Sequence, residues 1–331
     1  MWTLQDQQCK WIPLDKPDDI AYARTVYDCF HRIEGLNKYA DLVGYHGLRN
    51  SCQPRIKAVV NALQEKLGPG THISFVGDST MKQQFVHFAC MLNPDLNKKK
   101  LKWNDFKVKW KIKGIVLTLE KFGQNWDKYG RFKIGEYGNY LRYLFSARND
   151  KDVVLLNHGL HFNFNSDQNL SENIRQVEML QSWTSVSVRI YAELMNERGL
   201  GVMPRLMWRE TTPQHFPTPN GLYAKCNKTI AAAEGRSCTC HNFLNSVYEE
   251  GKKVEKSRSD FKDSISANIR NEISNPIISV GGHIQLLLNF DQLKAEPKFH
   301  LGTTDCTHLG GDALLFLNIE LAEGIMRPND G

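Results

Sequence analysis

Three residues, one of them more than two hundred positions before the other two, have the types that acyl-transfer chemistry needs: Ser79, Asp305 and His308. Ser79 follows the short apolar stretch Ile73-Ser74-Phe75-Val76 and the turn Gly77-Asp78, and after it Met81, Phe85, Phe88 and Leu92 recur at helical spacing. Such a strand-turn-helix unit holds a hydroxyl at a helix N-terminus, where unpaired backbone N–H groups and the helix dipole favour a developing oxyanion. A serine nucleophile needs a base, and the base needs an orienting acceptor. Asp305 and His308 lie three residues apart on a turn before a helix, a spacing that can put carboxylate and imidazole on one side of a loop. Each feature also has a plain structural reading: a serine capping a helix, a capping aspartate, a surface histidine. The three form a triad only if the fold brings them together.

The elements that must do so alternate in character. Asp152-Val153-Val154-Leu155-Leu156 reads as a second buried strand, ending in Asn157-His158-Gly159-Leu160-His161. A long helix is expected between about Ser171 and Asn196, then a third strand from Val202 to Trp208, leading into Arg209-Glu210-Thr211-Thr212-Pro213. Asp312 to Met326 suits a buried helix. Strands alternating with helices imply an α/β fold with a mainly parallel sheet covered on both faces, and reactive groups then belong at the carboxyl ends of its strands. Residues 1–70 read as an irregular wrapping segment with one helical stretch near Ile56 to Leu63, and 71–331 as the core of a single catalytic domain. Lys252 to Asp263 is highly charged and is expected to be an exposed loop or helix face.

Composition narrows the class. The chain has 331 residues, 41% hydrophobic and 24% charged, enough for a sizeable core. Its formal net charge of +6 favours an anionic partner only weakly. The basic stretch Phe106-Lys107-Val108-Lys109-Trp110-Lys111-Ile112-Lys113 alternates strictly, so a strand there carries apolar residues on one face and lysines on the other. A solvated sheet face is the preferred reading over nucleic-acid binding, with a groove for an acidic polysaccharide left open. No window approaches the run of about 18 apolar residues that a membrane span needs. The start Met1 to Trp11 lacks the apolar stretch of a secretory signal, so a leader or anchor is expected to lie outside this sequence. Eight cysteines, an even set, together with the sequons at Asn169 and Asn227, point to an oxidising compartment. Cys238-Thr239-Cys240-His241 raises a zinc reading, but a structural site needs four ligands at wider spacing, so no metal is expected.

Gly77-Asp78-Ser79-Thr80-Met81-Lys82-Gln83-Gln84-Phe85, continuing to Cys90-Met91-Leu92, resembles the nucleophile block of the PC-esterase and trichome birefringence-like family of the SGNH/GDSL superfamily. Trp208-Arg209-Glu210-Thr211-Thr212-Pro213-Gln214-His215-Phe216 is similar to that family's arginine-to-phenylalanine segment, and Asp305-Cys306-Thr307-His308 to its Asp-x-x-His block. Gly35 to Asp41 and Asn50 to Arg55 are fainter echoes of its N-terminal region. The blocks keep the family's order and cover nearly the whole chain.

The resemblance implies an SGNH-hydrolase-like three-layer sandwich and acyl-ester chemistry on carbohydrate hydroxyls in the Golgi lumen or outside the cell. Ser79 would attack the donor, His308 take its proton and Asp305 orient the imidazole. Transfer of an O-acetyl group is the leading expectation. A carbohydrate acetyl esterase, or a glycan-binding relative without activity, are the alternatives. The expected oxyanion and substrate-binding set is Gly77, Asp78, Lys82, Asn157, Gly159 and Arg209, with Asn157 and Arg209 also readable as a strand-end cap and a buried structural arginine. The same likeness implies disulfides Cys9–Cys52, Cys29–Cys90 and Cys226–Cys306, leaving Cys238 and Cys240 unassigned. Two departures stand out: Lys82 replaces the family's usual arginine and loses its bidentate fork, and His308-Leu309-Gly310-Gly311 lacks the usual cysteine. No tightly bound cofactor is expected, and the acyl donor and the sugar are left open.

Overall fold

A computed structural model of the chain describes residues 11–13, 17–34, 48–50, 56–98, 101–102, 105, 107–121, 134–159, 162, 170–213, 247–249, 252–254, 263–280, 283–288, 293 and 308–327. In chain order the elements are β1 (Trp11–Pro13), α1 (Pro17–Glu34), β2 (Leu48–Asn50), α2 (Ile56–Leu67), β3 (His72–Gly77) and α3 (Ser79–Leu92). Then come β4 (Lys107–Ile112), β5 (Ile115–Lys121), α4 (Ile134–Ser146), β6 (Val153–Leu156), α5 (Leu170–Arg198) and β7 (Arg205–Arg209). The short strands β8 (Val247–Glu249) and β9 (Lys252–Val254) precede α6 (Asp263–Val280), β10 (Ile284–Leu287) and α7 (Gly311–Met326).

Six strands form the central sheet in the order β10-β7-β6-β3-β5-β4. All neighbours are parallel except β4, which runs antiparallel to β5 at the edge. Alternation along each strand sends side chains to two separate cores. Phe75 of β3, Leu155 of β6 and Met207 of β7 face a core built with α1, α2, α3 and α7. Val76, Leu156 and Trp208 face the opposite core, built with α4, α5 and α6. Helices on both faces of a mainly parallel sheet make the α/β three-layer arrangement expected from the sequence.

The chain turns from β3 outward through α3 to the β4–β5 pair, crosses back through α4 to β6, and continues through α5 to β7. The direction of winding therefore reverses between β3 and β6. Ligands in open α/β sheets gather at the carboxyl ends of the strands beside such a reversal.

Several expectations need adjusting. Residues 17–34, read as irregular, form an 18-residue helix whose Ala23, Val26, Phe30 and Ile33 are buried at helical spacing. With α2 it forms part of one layer of the sandwich and packs against α3, so this part of the segment is core rather than wrapping. The third strand begins at Arg205 rather than Val202, after a short 3-10 turn over Leu200–Val202. Lys252 to Val254 is a strand paired with β8, and Asp263 opens α6, while 255–262 lie outside the described residues. The alternating lysine stretch is the strand expected of it. Lys107, Lys109 and Lys111 are exposed, whereas Trp110 and Ile112 are buried. No helix among the described residues is long and apolar enough to cross a membrane.

Candidate active site

Helix α3 explains itself from its first turn. Asp78 is its N-cap, with Oδ1 accepting from the Thr80 N–H at 2.9 Å, the Met81 N–H at 3.4 Å and the Thr80 hydroxyl at 2.6 Å. The capping role that Ser79 could have filled is thus taken by its neighbour, which leaves the Ser79 hydroxyl available for another partner. That partner is His308, whose Nε2 lies 2.9 Å from Ser79 Oγ although the two residues are 229 apart in sequence. This is the separation expected of a serine and the base that activates it. Ser79 is 5% exposed.

His308 is delivered by the turn before α7, which starts after the extended Gly310. The adjoining Leu309 N–H donates to Gln83 Oε1 at 3.0 Å, so α3 holds the histidine's loop at a second point. Asp305, the proposed orienting carboxylate, lies outside the described residues.

The carboxyl ends of β3, β6 and β7 share one rim, since Val76 aligns with Leu156 and Leu156 with Trp208. Gly77, Asn157 and Arg209 therefore sit side by side just below the Ser79 turn. Glycine at 77 is required by closeness: a Cβ built there would stand 2.4 Å from the Asn157 carbonyl oxygen. Gly159 is as tightly constrained, for a Cβ would meet Thr211 Oγ1 at 1.6 Å. Its carbonyl accepts from the Phe162 N–H at 3.1 Å. Asn157 ties the rim together, with its N–H donating to the Val76 carbonyl at 3.1 Å and Nδ2 to the Arg209 carbonyl at 2.8 Å. Among the first-turn N–H groups of α3, Asp78 accepts those of Thr80 and Met81, and the Ser79 N–H is left as the candidate oxyanion donor.

The two cations expected to bind substrate are placed differently. Arg209 is fully buried and donates from Nη1 to Gln84 Oε1 at 2.8 Å and from Nη2 to Thr80 Oγ1 at 2.7 Å. Thr80 passes that contact on to Asp78, so the guanidinium braces the nucleophile turn from beneath instead of facing a ligand. Burial lowers its pKa to about 10, with nearby Asp78 pulling the other way. Lys82 is buried as well, and Nζ donates to Glu34 Oε2 at 3.3 Å and to the Leu101 carbonyl at 3.4 Å. Its partner comes from α1, the helix that the sequence reading had not found.

Other polar groups of the site region were missed. Gln84 Nε2 donates to the Leu317 carbonyl at 3.3 Å, and Asn318 Nδ2 donates to His87 Nδ1 at 3.0 Å, joining α3 to α7. On α6, Asn271 holds both the N–H and the carbonyl of Thr211, at 2.8 and 3.2 Å. The available signal was Gln83-Gln84 and His87 within an apolar run, because polar groups in a wholly buried helix must find partners. His158 is a core residue: its Nε2 bonds the Tyr137 hydroxyl, Trp183 and Trp208 stand edge-on to it, and burial lowers its pKa to about 4.

Cys29 and Cys90 are bonded, joining α1 to the end of α3. Cys9, Cys52, Cys226, Cys238, Cys240 and Cys306 lie outside the described residues, as do His161 and His215. Comparison with protein-family models and with curated proteins gives no match to this chain.

Proposed function

We propose that the protein is a serine-dependent acyltransferase that moves an acyl group, foremost an acetyl, onto carbohydrate hydroxyls. The observation that carries this reading is the 2.9 Å contact between Ser79 Oγ and His308 Nε2, made by a serine whose capping role is already taken by Asp78. Its setting is right for the chemistry, at the carboxyl rim of a parallel sheet beside the reversal of winding. The carbohydrate acceptor rests on the resemblance of the Ser79, Arg209 and Asp305–His308 blocks to polysaccharide O-acetyltransferases. The bonded Cys29–Cys90 pair suits a Golgi or extracellular compartment.

In this scheme Ser79 Oγ attacks the acyl carbonyl carbon while His308 Nε2 takes the hydroxyl proton. The carbonyl oxygen becomes an oxyanion beside the Ser79 N–H and the N-terminus of α3. Its collapse expels the donor's leaving group, which receives the proton from His308, and an acyl-serine results. A sugar hydroxyl then gives its proton to His308 and attacks the same carbon; the bond from that carbon to Ser79 Oγ breaks, and Oγ takes the proton back from His308, which regenerates both residues. Asp305, three residues before His308, is assigned to orient the ring.

The test is to incubate the protein with a chromogenic acetyl ester, with and without oligosaccharides, alongside Ser79→Ala. Acetylated sugar formed only by the protein with Ser79 supports transfer. Free acetate alone reassigns it as a hydrolase, and turnover that Ser79→Ala leaves unchanged removes the reading altogether.

A further inference from the structure

Ser79 and Gln83 lie one helical turn apart on α3 and so present the same face to the loop before α7. Ser79 meets the His308 ring there, while Gln83 Oε1 accepts the Leu309 N–H at 3.0 Å. Gln83 is 4% exposed and Leu309 1%, so water cannot readily replace that bond if the amide is removed. The loop is held at two successive residues, by its histidine ring and by the next backbone N–H. A contact made by the ring acts through a rotatable side chain, whereas a bond to the next backbone N–H acts on the main chain itself. The backbone latch fixes where the ring starts from.

We propose that Gln83 is a positioning residue of the active site, holding the backbone after His308 so that Nε2 is presented to Ser79 Oγ before substrate arrives. The inference rests on the function proposed above. It adds that the alignment of the base is set from the nucleophile's own helix, so that serine and histidine move together as one unit. A displacement of about 1 Å in such a pair can lower turnover on the order of 100-fold.

The experiment compares Gln83→Met, which keeps the length but removes the acceptor, with Gln83→Glu, which keeps an acceptor oxygen. Three quantities are read: ester turnover across pH, the rate at which a fluorophosphonate labels Ser79, and the NMR signal of the His308 ring, assigned with His308→Gln. Gln83→Met is expected to lower kcat and the labelling rate by about 10- to 100-fold with KM little changed, and to alter the His308 ring signal and the midpoint of the pH–rate curve. Gln83→Glu should recover much of the loss. The idea is overturned if Gln83→Met keeps the wild-type ring signal and labelling rate. The ring signal is readable even in a protein without turnover, so loss of the acyl-transfer reading and loss of this one are told apart. Should Gln83→Met not fold, amide hydrogen exchange of Leu309 in the wild-type protein decides: slow exchange is expected, and exchange at the rate of an open loop refutes the latch.

Discussion

Gly77→Ala tests whether the rim of the sheet is as tightly closed as its geometry requires. The added Cβ would lie 2.4 Å from the Asn157 carbonyl oxygen, a backbone atom that cannot turn aside as a flexible side chain could. Ordinary contact begins near 3.4 Å, so β3 and β6 must part by about 1 Å at this end. The bond from the Asn157 N–H to the Val76 carbonyl, now 3.1 Å, would be stretched past useful length. Overpacking of this kind costs about 1–3 kcal/mol, and the lost backbone bond about 1 kcal/mol more. Unfolding entropy of roughly 2 cal/mol/K per residue over 331 residues converts about 2–4 kcal/mol into a drop in melting temperature of roughly 3–6 °C. The same displacement carries the Ser79 turn away from His308, and turnover should fall on the order of 100-fold. Calorimetry and ester turnover on one preparation measure both effects. A variant that melts within 1 °C of the wild type, by roughly the precision of such a comparison, and turns over equally fast would refute the close approach.

Two further perturbations follow from buried charge. Burial lowers His87 to about 3 and His158 to about 4, from an ordinary 6.5, so between roughly pH 4 and 6.5 the unfolded chain takes up protons that the folded one refuses. Stability is therefore full above pH 6.5 and is lost on acidification, by about 1 kcal/mol per pH unit for each histidine. Glu320, raised to about 7 mainly by burial, acts in the opposite sense over the same range. Melting temperature against pH should accordingly be flatter for His87→Gln and steeper for Glu320→Gln, and unchanged curves would contradict the assignment. Lys82→Met removes the cation of a mostly buried pair and should cost about 1–3 kcal/mol, whereas adding Glu34→Leu should restore part of it. A double variant no more stable than the single one, measured by urea unfolding, would show that the pair is not coupled.

What the sequence disclosed was what local pattern and spacing encode. The β3–α3 unit, the strand ending at Leu156, the long α5 and the lysine-faced β4 each carry their own periodicity. Helix α1 was hidden because its apolar positions are interrupted by Tyr22, Thr25, Asp28 and His31 and lie beside aromatic and polar stretches. Helix α4 carries Gly135 and Gly138, which blur a helical pattern, and β10 is a four-residue strand stabilised by its place beside β7. The family likeness puts Lys82 and Arg209 in the substrate-binding set, with a buried structural role as the other reading of Arg209, and local sequence does not choose between the two roles. Their true partners, Glu34 from α1 and Gln84 with Thr80 from α3, become adjacent only through tertiary packing. The likeness to a known family supplied the Cys29–Cys90 pairing, which spacing alone did not single out.

All 14 residues of α3 are buried, pressed between the sheet, α1 and α7. An ordinary surface helix keeps a solvent stripe on which substitutions pass almost unnoticed. This one keeps none, so a saturation scan across Ser79 to Leu92 should show no tolerant register repeating every three to four positions. Engineering of new specificity would then have to enter through the surrounding loops, because the rod that carries the serine offers no spare face on which to build.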